Sequence, residues 1–103
     1  MKSTVQKLND LVGYQEGTIV SRTIINKDNG TVTIFAFDKD QALSEHVAPF
    51  DALLQVLDGE VEVNITGKKY HLKSGEIIIM PANKPHAVKA VNKFKMLLYM
   101  IKE

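Results

Sequence analysis

From Thr18 to Ile101 the chain repeats one pattern: short runs of β-branched, aromatic and aliphatic residues, each ended by a polar turn. Such runs predict β-strands. Thr18 to Ile25 and Thr31 to Phe37 come first, joined through Asn26-Lys27-Asp28-Asn29-Gly30, where Asn29-Gly30 is the strongest pair for a tight hairpin. Ala42 to Val47, Ala52 to Leu57, Glu60 to Thr66 and Lys69 to Leu72 follow, with Asp58-Gly59 and Gly67-Lys68 as punctuation. Val61-Glu62-Val63-Asn64-Ile65 alternates apolar and polar side chains, which predicts a strand with one face in the core and one in water. Ile77-Ile78-Ile79-Met80 is apolar throughout, which predicts a buried strand. His86 to Val91 and Phe94 to Ile101 complete the set. From Met96 to Ile101 both faces are apolar, so this last strand is expected either in the middle of a sheet or under a partner. About nine short strands at such spacing read as an all-β sandwich or barrel.

The first residues follow a different pattern. Val5, Leu8, Leu11 and Val12 recur at helical spacing, Ser3 or Thr4 is a possible cap, and Gly13 would end the segment. Residues 1–17 are therefore expected as a short helix or an ordered arm, and residues 18–103 as one barrel domain. The apolar side chains of the arm need a cover, which a second subunit could supply.

Composition narrows the function classes. The chain has 103 residues, enough for one core and too few for two domains. It contains no cysteine, which excludes disulfides, thiolate metal sites and cysteine nucleophiles. The net charge is +1 and Lys68-Lys69 is the largest basic cluster, so nucleic-acid binding has little electrostatic support. No apolar run approaches membrane-spanning length, and no membrane partner is expected. The amino-terminal stretch lacks the apolar core of a secretion signal, and a cytoplasmic location is the expectation.

Candidate chemistry lies in two stretches. Ser44 to Gly59 carries His46, a Pro49 turn and an apolar strand; Gly75 to His86 carries a second histidine after the rigid loop Pro81-Ala82-Asn83-Lys84-Pro85. Together they resemble the two motifs of the RmlC-like cupin superfamily, small single-domain members in particular. His46 stands where the first histidine of the first motif belongs and Gly59 where its closing glycine belongs. Gly75, Pro81 and His86 fall at the spacings of the second motif. The runs Leu57 to Val63 and Ile78 to His86 are also similar to small cupins. The resemblance implies a double-stranded β-helix, or jelly-roll barrel, with a pocket inside it and commonly a divalent metal held by histidines and a glutamate. Small cupins also commonly dimerise through sheet edges, and a homodimer is expected here.

The departures bear on function more than the matches. The second histidine position of the first motif is Ala48 and the glutamate position is Ala52. In the second motif the glycine is Asn83 and the final asparagine is Ala90. Period-two geometry agrees: His46, Ala48, Ala52 and Leu54 share one face, and so do His86 and Val88. These six residues are the expected pocket, with His46 and His86 as polar anchors or catalytic candidates. Two imidazoles make a poor zinc or iron site, so no cofactor is expected. Asp51 is out of phase with that face. A bulge at Pro49-Phe50 could turn it inward and complete a partial site for zinc, manganese, iron or nickel with His46 and His86.

Three functions remain open at this level. One is a metal-free barrel binding a small, largely apolar or carboxylate-bearing molecule. Another is an enzyme, either an isomerase or lyase with a histidine base or a metal-dependent, dioxygenase-like form using Asp51. The third is a structural or interaction module whose histidines merely fill space. Met80, Met96 and Met100 are expected mainly in the core, although methionine also suits an adaptable pocket. Lys84 and His71 are expected at the surface, and Gln55 on the opposite face from Ala52.

Overall fold

The computed structural model describes residues 3–102. Nine strands account for most of them: β1 (Ile19–Lys27), β2 (Gly30–Phe37), β3 (Ala42–His46), β4 (Asp51–Asp58), β5 (Glu60–Ile65), β6 (Lys68–Lys73), β7 (Ile77–Met80), β8 (His86–Ala90) and β9 (Phe94–Ile101). They form a five-stranded sheet in the order β1-β2-β9-β4-β7 and a four-stranded sheet in the order β3-β8-β5-β6. Every pairing is antiparallel. The sheets face one another as the double-stranded β-helix of a jelly roll, in keeping with the all-β expectation.

The core between the sheets is built from alternate residues of the inner strands. Leu54 and Val56 from β4, Val61 and Val63 from β5, and Phe37 and Phe94 from β2 and β9 are essentially inaccessible to solvent. The rings of Phe37 and Phe94 pack with centroids 4.6 Å apart. In β5, Val61 and Val63 are buried while Glu62 and Asn64 are not, the alternation read from the sequence. β9 lies in the middle of its sheet, between β2 and β4, which accounts for its two apolar faces.

A second core lies on the outer face of the five-stranded sheet. Val12 packs there with Ile34, Ala36 and Leu97, flanked by Leu11, Tyr14 and Val20. The described residues of the amino-terminal segment thus form an arm with one 3-10 turn, Leu8–Asp10, and no α-helix. Leu11 and Val12 of its apolar pattern pack on this sheet, so the chain covers Val12 itself. The Tyr14 hydroxyl donates to Asp58 Oδ2 at 2.5 Å, and Lys95 Nζ donates to Asn9 O at 2.6 Å, tying the arm to β4 and β9. Burial, and then the hydrogen bond to Asp58, push the Tyr14 hydroxyl well above the usual tyrosine range. Val5 and Leu8 stay exposed.

Two local expectations need correction. β7 is an edge strand, and Ile77 and Ile79 are 57% and 59% exposed. Its alternate apolar side chains lie on the outer face of the sheet, where the described residues leave them in water. In the first hairpin Lys27 pairs with Gly30, so the two-residue tip is Asp28-Asn29 and Gly30 already belongs to the return strand.

The turn joining β4 to β5 is a place where only glycine fits. Gly59 has φ of +79°, and a side chain there would collide with the carbonyl of Lys93 and with Phe94. That close approach brings the β4–β5 and β8–β9 turns together at one end of the barrel.

Candidate functional site

β3 and β8 lie side by side, and their pairing creates the site. Leu43 is opposite Val88, and His46 is opposite His86. Between these pairs β3 uses one residue more than β8, so the register shifts. Strict alternation would send Leu43 and His46 to opposite faces. The irregularity puts both on the barrel interior, where both line the same cavity. The two imidazoles meet edge to face, with centroids 4.3 Å apart and planes at 68°.

The cavity has a volume of about 150 Å³. His46, Ala48, Ala52, His86 and Val88 line it, five of the six residues expected there. Leu54 does not: it is fully buried one step deeper along β4, inside the packed core. Sequence reasoning missed Leu43 and Phe50 as lining residues and favoured the core for the methionines. Met80 and Met100 flank Ala52 on the two neighbouring strands, and Met96 and Leu98 close the floor. Phe50 was detectable, because it shares period-two phase with Ala48 and Ala52. Leu43 was not, because the register shift is invisible in composition. The methionines could not be sorted from core residues, since a cavity wall and a packed core demand the same apolar side chains.

Asp51 does not turn inward. It stays in phase with the outer face, and its Oδ1 accepts a hydrogen bond from the Ala82 amide at 2.8 Å. The Asn83 amide donates to Ala48 O at 2.7 Å. These two bonds pin the Pro81–Pro85 loop to the β3–β4 corner and so position His86 at the loop's end. Asn83 has φ of +64°, a left-handed conformation that asparagine tolerates better than most residues. This explains how asparagine occupies a place where the resembling motif has glycine. Lys84 is exposed and does not line the cavity, but its carbonyl holds His86. His71 is exposed and pairs with Glu60 at 3.1 Å. Gln55 accepts a hydrogen bond from the Tyr99 hydroxyl at 2.9 Å, away from the cavity.

Hydrogen bonding sets the state of both imidazoles. His46 Nδ1 lies 2.9 Å from Ser44 O, and His86 Nδ1 lies 3.3 Å from Lys84 O. A carbonyl oxygen has no proton to give, so each Nδ1 carries the hydrogen and donates it. In the neutral rings Nε2 is then a lone-pair acceptor. His86 is 6% exposed, the one buried polar residue among those described, whereas His46 is exposed at the cavity mouth. Burial lowers the His86 pKa below the ordinary histidine value; the Lys84 carbonyl opposes this, and the neighbouring His46 adds to the lowering.

The donor set does not suit a metal. Two imidazole nitrogens are on hand, and Ala48 and Ala52, which line the cavity with them, offer no ligand atom. Asp51 is committed to the loop, and among the described residues no group of three or more histidine, cysteine, aspartate or glutamate side chains converges. What the site offers is an apolar enclosure with two hydrogen-bonding nitrogens on one wall. Such an enclosure can hold a small molecule, and a neutral imidazole can also accept a proton.

Comparison with known proteins places this geometry. The sequence model of the cupin domain family matches residues 33–102. A conserved protein of unknown function from Streptococcus pyogenes is 34% identical, with a TM-score of 0.94 over 100% of this chain and 90% of that one. A cupin superfamily protein from Desulfitobacterium hafniense superposes with a TM-score of 0.93 at 24% identity, covering 100% of this chain and 94% of that one. A cupin 2 conserved barrel domain protein from Leptotrichia buccalis is 47% identical with a TM-score of 0.89; the match covers 92% of this chain and 46% of that longer one. No curated protein matches. Among the described residues no helix is long and apolar enough to cross a membrane. The matched family model and the barrel that carries both histidine stretches agree: this chain belongs to the cupin domain family.

Proposed function

We propose that this cupin binds a small, largely apolar molecule inside its barrel without needing a metal. One observation carries the reading: the cavity is enclosed by apolar side chains and, among the described residues, has the His46–His86 pair as its sole side-chain nitrogen or oxygen groups. Pockets of this kind orient a ligand through a few polar anchors while apolar contact supplies most of the affinity. A purely space-filling role for the histidines fits less well, because Ala48 and Ala52 leave the space beside them open. Thermal-shift screening of small apolar acids, alcohols and sugars tests the proposal. A binder should raise the melting temperature of the wild-type chain and lose that effect when Ala52 is enlarged. No stabilisation by any compound class would count against it.

An enzymatic reading has a specific observation in its favour. The buried, neutral His86 with a free Nε2 is suited to act as general base in an isomerase- or lyase-type proton transfer. His86→Ala would then abolish any turnover found while the fold persists, and retained turnover rejects this role.

Self-association with a second copy is also part of the proposal. Ile77, Ile79 and Ile101 are exposed on β7 and β9, on the outer face near a free sheet edge. Light scattering should report a dimer at micromolar concentration that Ile79→Lys weakens, and a wild-type monomer would reject it.

A further inference from the structure

The cavity also discriminates among ligand chemistries, given the binding reading above. We infer that its ligand is a small apolar alcohol or phenol, bound as the neutral molecule, whose hydroxyl donates to Nε2 of His46 or His86.

Size sets the first bound. A cavity of about 150 Å³ is the size that takes up a single benzene ring in an apolar protein interior, or about six to eight non-hydrogen atoms. Sugars and nucleotides exceed this, and their many hydroxyls would meet methyl and thioether groups over most of the wall. Met80, Met96 and Met100 surround the space, and their flexible side chains adapt to a flat ring or a branched chain alike.

Hydrogen-bond polarity sets the second bound. Both Nδ1 hydrogens are spent on backbone carbonyls, Ser44 O and Lys84 O. Both rings therefore turn an acceptor, Nε2, away from the backbone, and neither Nε2 has a partner among the described residues. The other lining side chains are Ala, Val, Leu, Phe and Met, none of which donates. The wall asks for a donor and offers none. A carboxylate would bring further acceptors and a full charge into this space, with lone pairs facing lone pairs. At His86, the buried member of the pair, burial works against the positive charge that a carboxylate would need opposite it. A pure hydrocarbon would fit by shape but would cover the Nε2 atoms and leave them unsatisfied. A hydroxyl on an apolar body satisfies both demands.

Three probes separate these cases on the wild-type chain: phenol, toluene and the slightly larger benzoate. Methionine-methyl carbon resonances report occupancy of the cavity, and long-range proton–nitrogen spectra of the histidines report on Nε2. Phenol should bind about tenfold more tightly than toluene. It should also shift an Nε2 resonance that toluene leaves in place. Equal binding of phenol and toluene, or tightest binding by benzoate, overturns the hydroxyl inference while leaving the binding cavity intact. If none of the three perturbs the methionine methyls, the cavity itself is not a binding site and both readings fall. Because all of these measurements use the unmodified protein, a histidine variant that fails to fold does not affect them.

Discussion

His46 and His86 face each other across β3 and β8 with ring centroids 4.3 Å apart, although 40 positions separate them in the chain, as their residue numbers show. Each ring is fixed by its own backbone carbonyl two residues earlier, so the pair is held in place before any ligand arrives. On the binding reading proposed above, that fixed orientation would select for a ligand that hydrogen-bonds to it.

Stability should depend on pH through His86. Its folded-state pKa is lowered below the ordinary value of 6.5, chiefly by burial. As pH falls, the unfolded chain takes up the proton before the folded one does, so acid favours unfolding. The contribution is whole above about 6.5 and is lost as pH falls toward the folded-state pKa. Urea midpoints measured from pH 8 to pH 5 should decline in the wild type and decline less in His86→Gln. A midpoint that rises on acidification, or parallel curves for the two proteins, would show that His86 is not held neutral.

Enlarging Ala52 should close the cavity. This residue is 6% exposed and lies between Met80 and Met100. Ala52→Val should weaken any cavity ligand by about tenfold or more, while the folding free energy changes by no more than about 1–2 kcal/mol because the added methyls enter open space. Titration of wild type and variant with the same ligand checks this. Undiminished affinity would place the ligand elsewhere.

Metal content gives a separate check on the donor set. Protein purified without chelators should contain far less than one equivalent of zinc, manganese, iron or nickel, because two imidazoles with no third ligand among the described residues hold such ions weakly. Elemental analysis decides it. A stoichiometric metal that is lost in His86→Ala would mean that solvent or a rearranged side chain completes the site.

Two glycines should respond differently to alanine. Gly59 and Gly75 have φ of +79° and +89°, but a side chain meets the Lys93 carbonyl and Phe94 at Gly59 and open space at Gly75. Gly59→Ala should cost about 2–4 kcal/mol, strain and collision together, and Gly75→Ala about 1–2 kcal/mol from strain alone. Denaturant unfolding gives both values. Equal costs would mean that the β8–β9 turn moves aside at no expense.

The amino-terminal arm should behave as part of the fold. Val12→Ala removes a buried side chain from the outer core and should cost about 1–2 kcal/mol. Tyr14→Phe removes the hydroxyl bound to Asp58 and should cost about 0.5–1.5 kcal/mol. Hydrogen exchange should show the loss concentrated on β2 and β9. Unchanged protection in both variants would show that the arm contributes nothing to the sheet.

Much of this architecture was legible because strand and turn signals are local. Period-two alternation in Val61 to Ile65 depends on neighbours along the chain, and so does the break at Asp58-Gly59. The two histidine stretches likewise carried enough spacing to point to a shared barrel. Less of the site could be read. Leu54 has the right phase but the wrong depth, and depth depends on the opposite sheet. The side of the sheet that Asp51 takes depends on its partner, the Ala82 amide, on a loop 31 residues away. The isoleucines of β7 and the apolar residues of β9 look alike in sequence, yet one strand is at an edge and the other is central.

The sequence by itself determined the strands, the turns, the absence of thiolate chemistry and the alanines at Ala48 and Ala52 that empty the cavity wall. These depend on side-chain identity and on the backbone preferences of adjacent residues. The tertiary structure alone decided that the register shift in β3 sets His46 against His86, that the methionines wall a cavity, and that the arm covers the outer sheet. Those features depend on which strands become neighbours, and apolar side chains, being non-directional in their attraction, do not encode a particular neighbour.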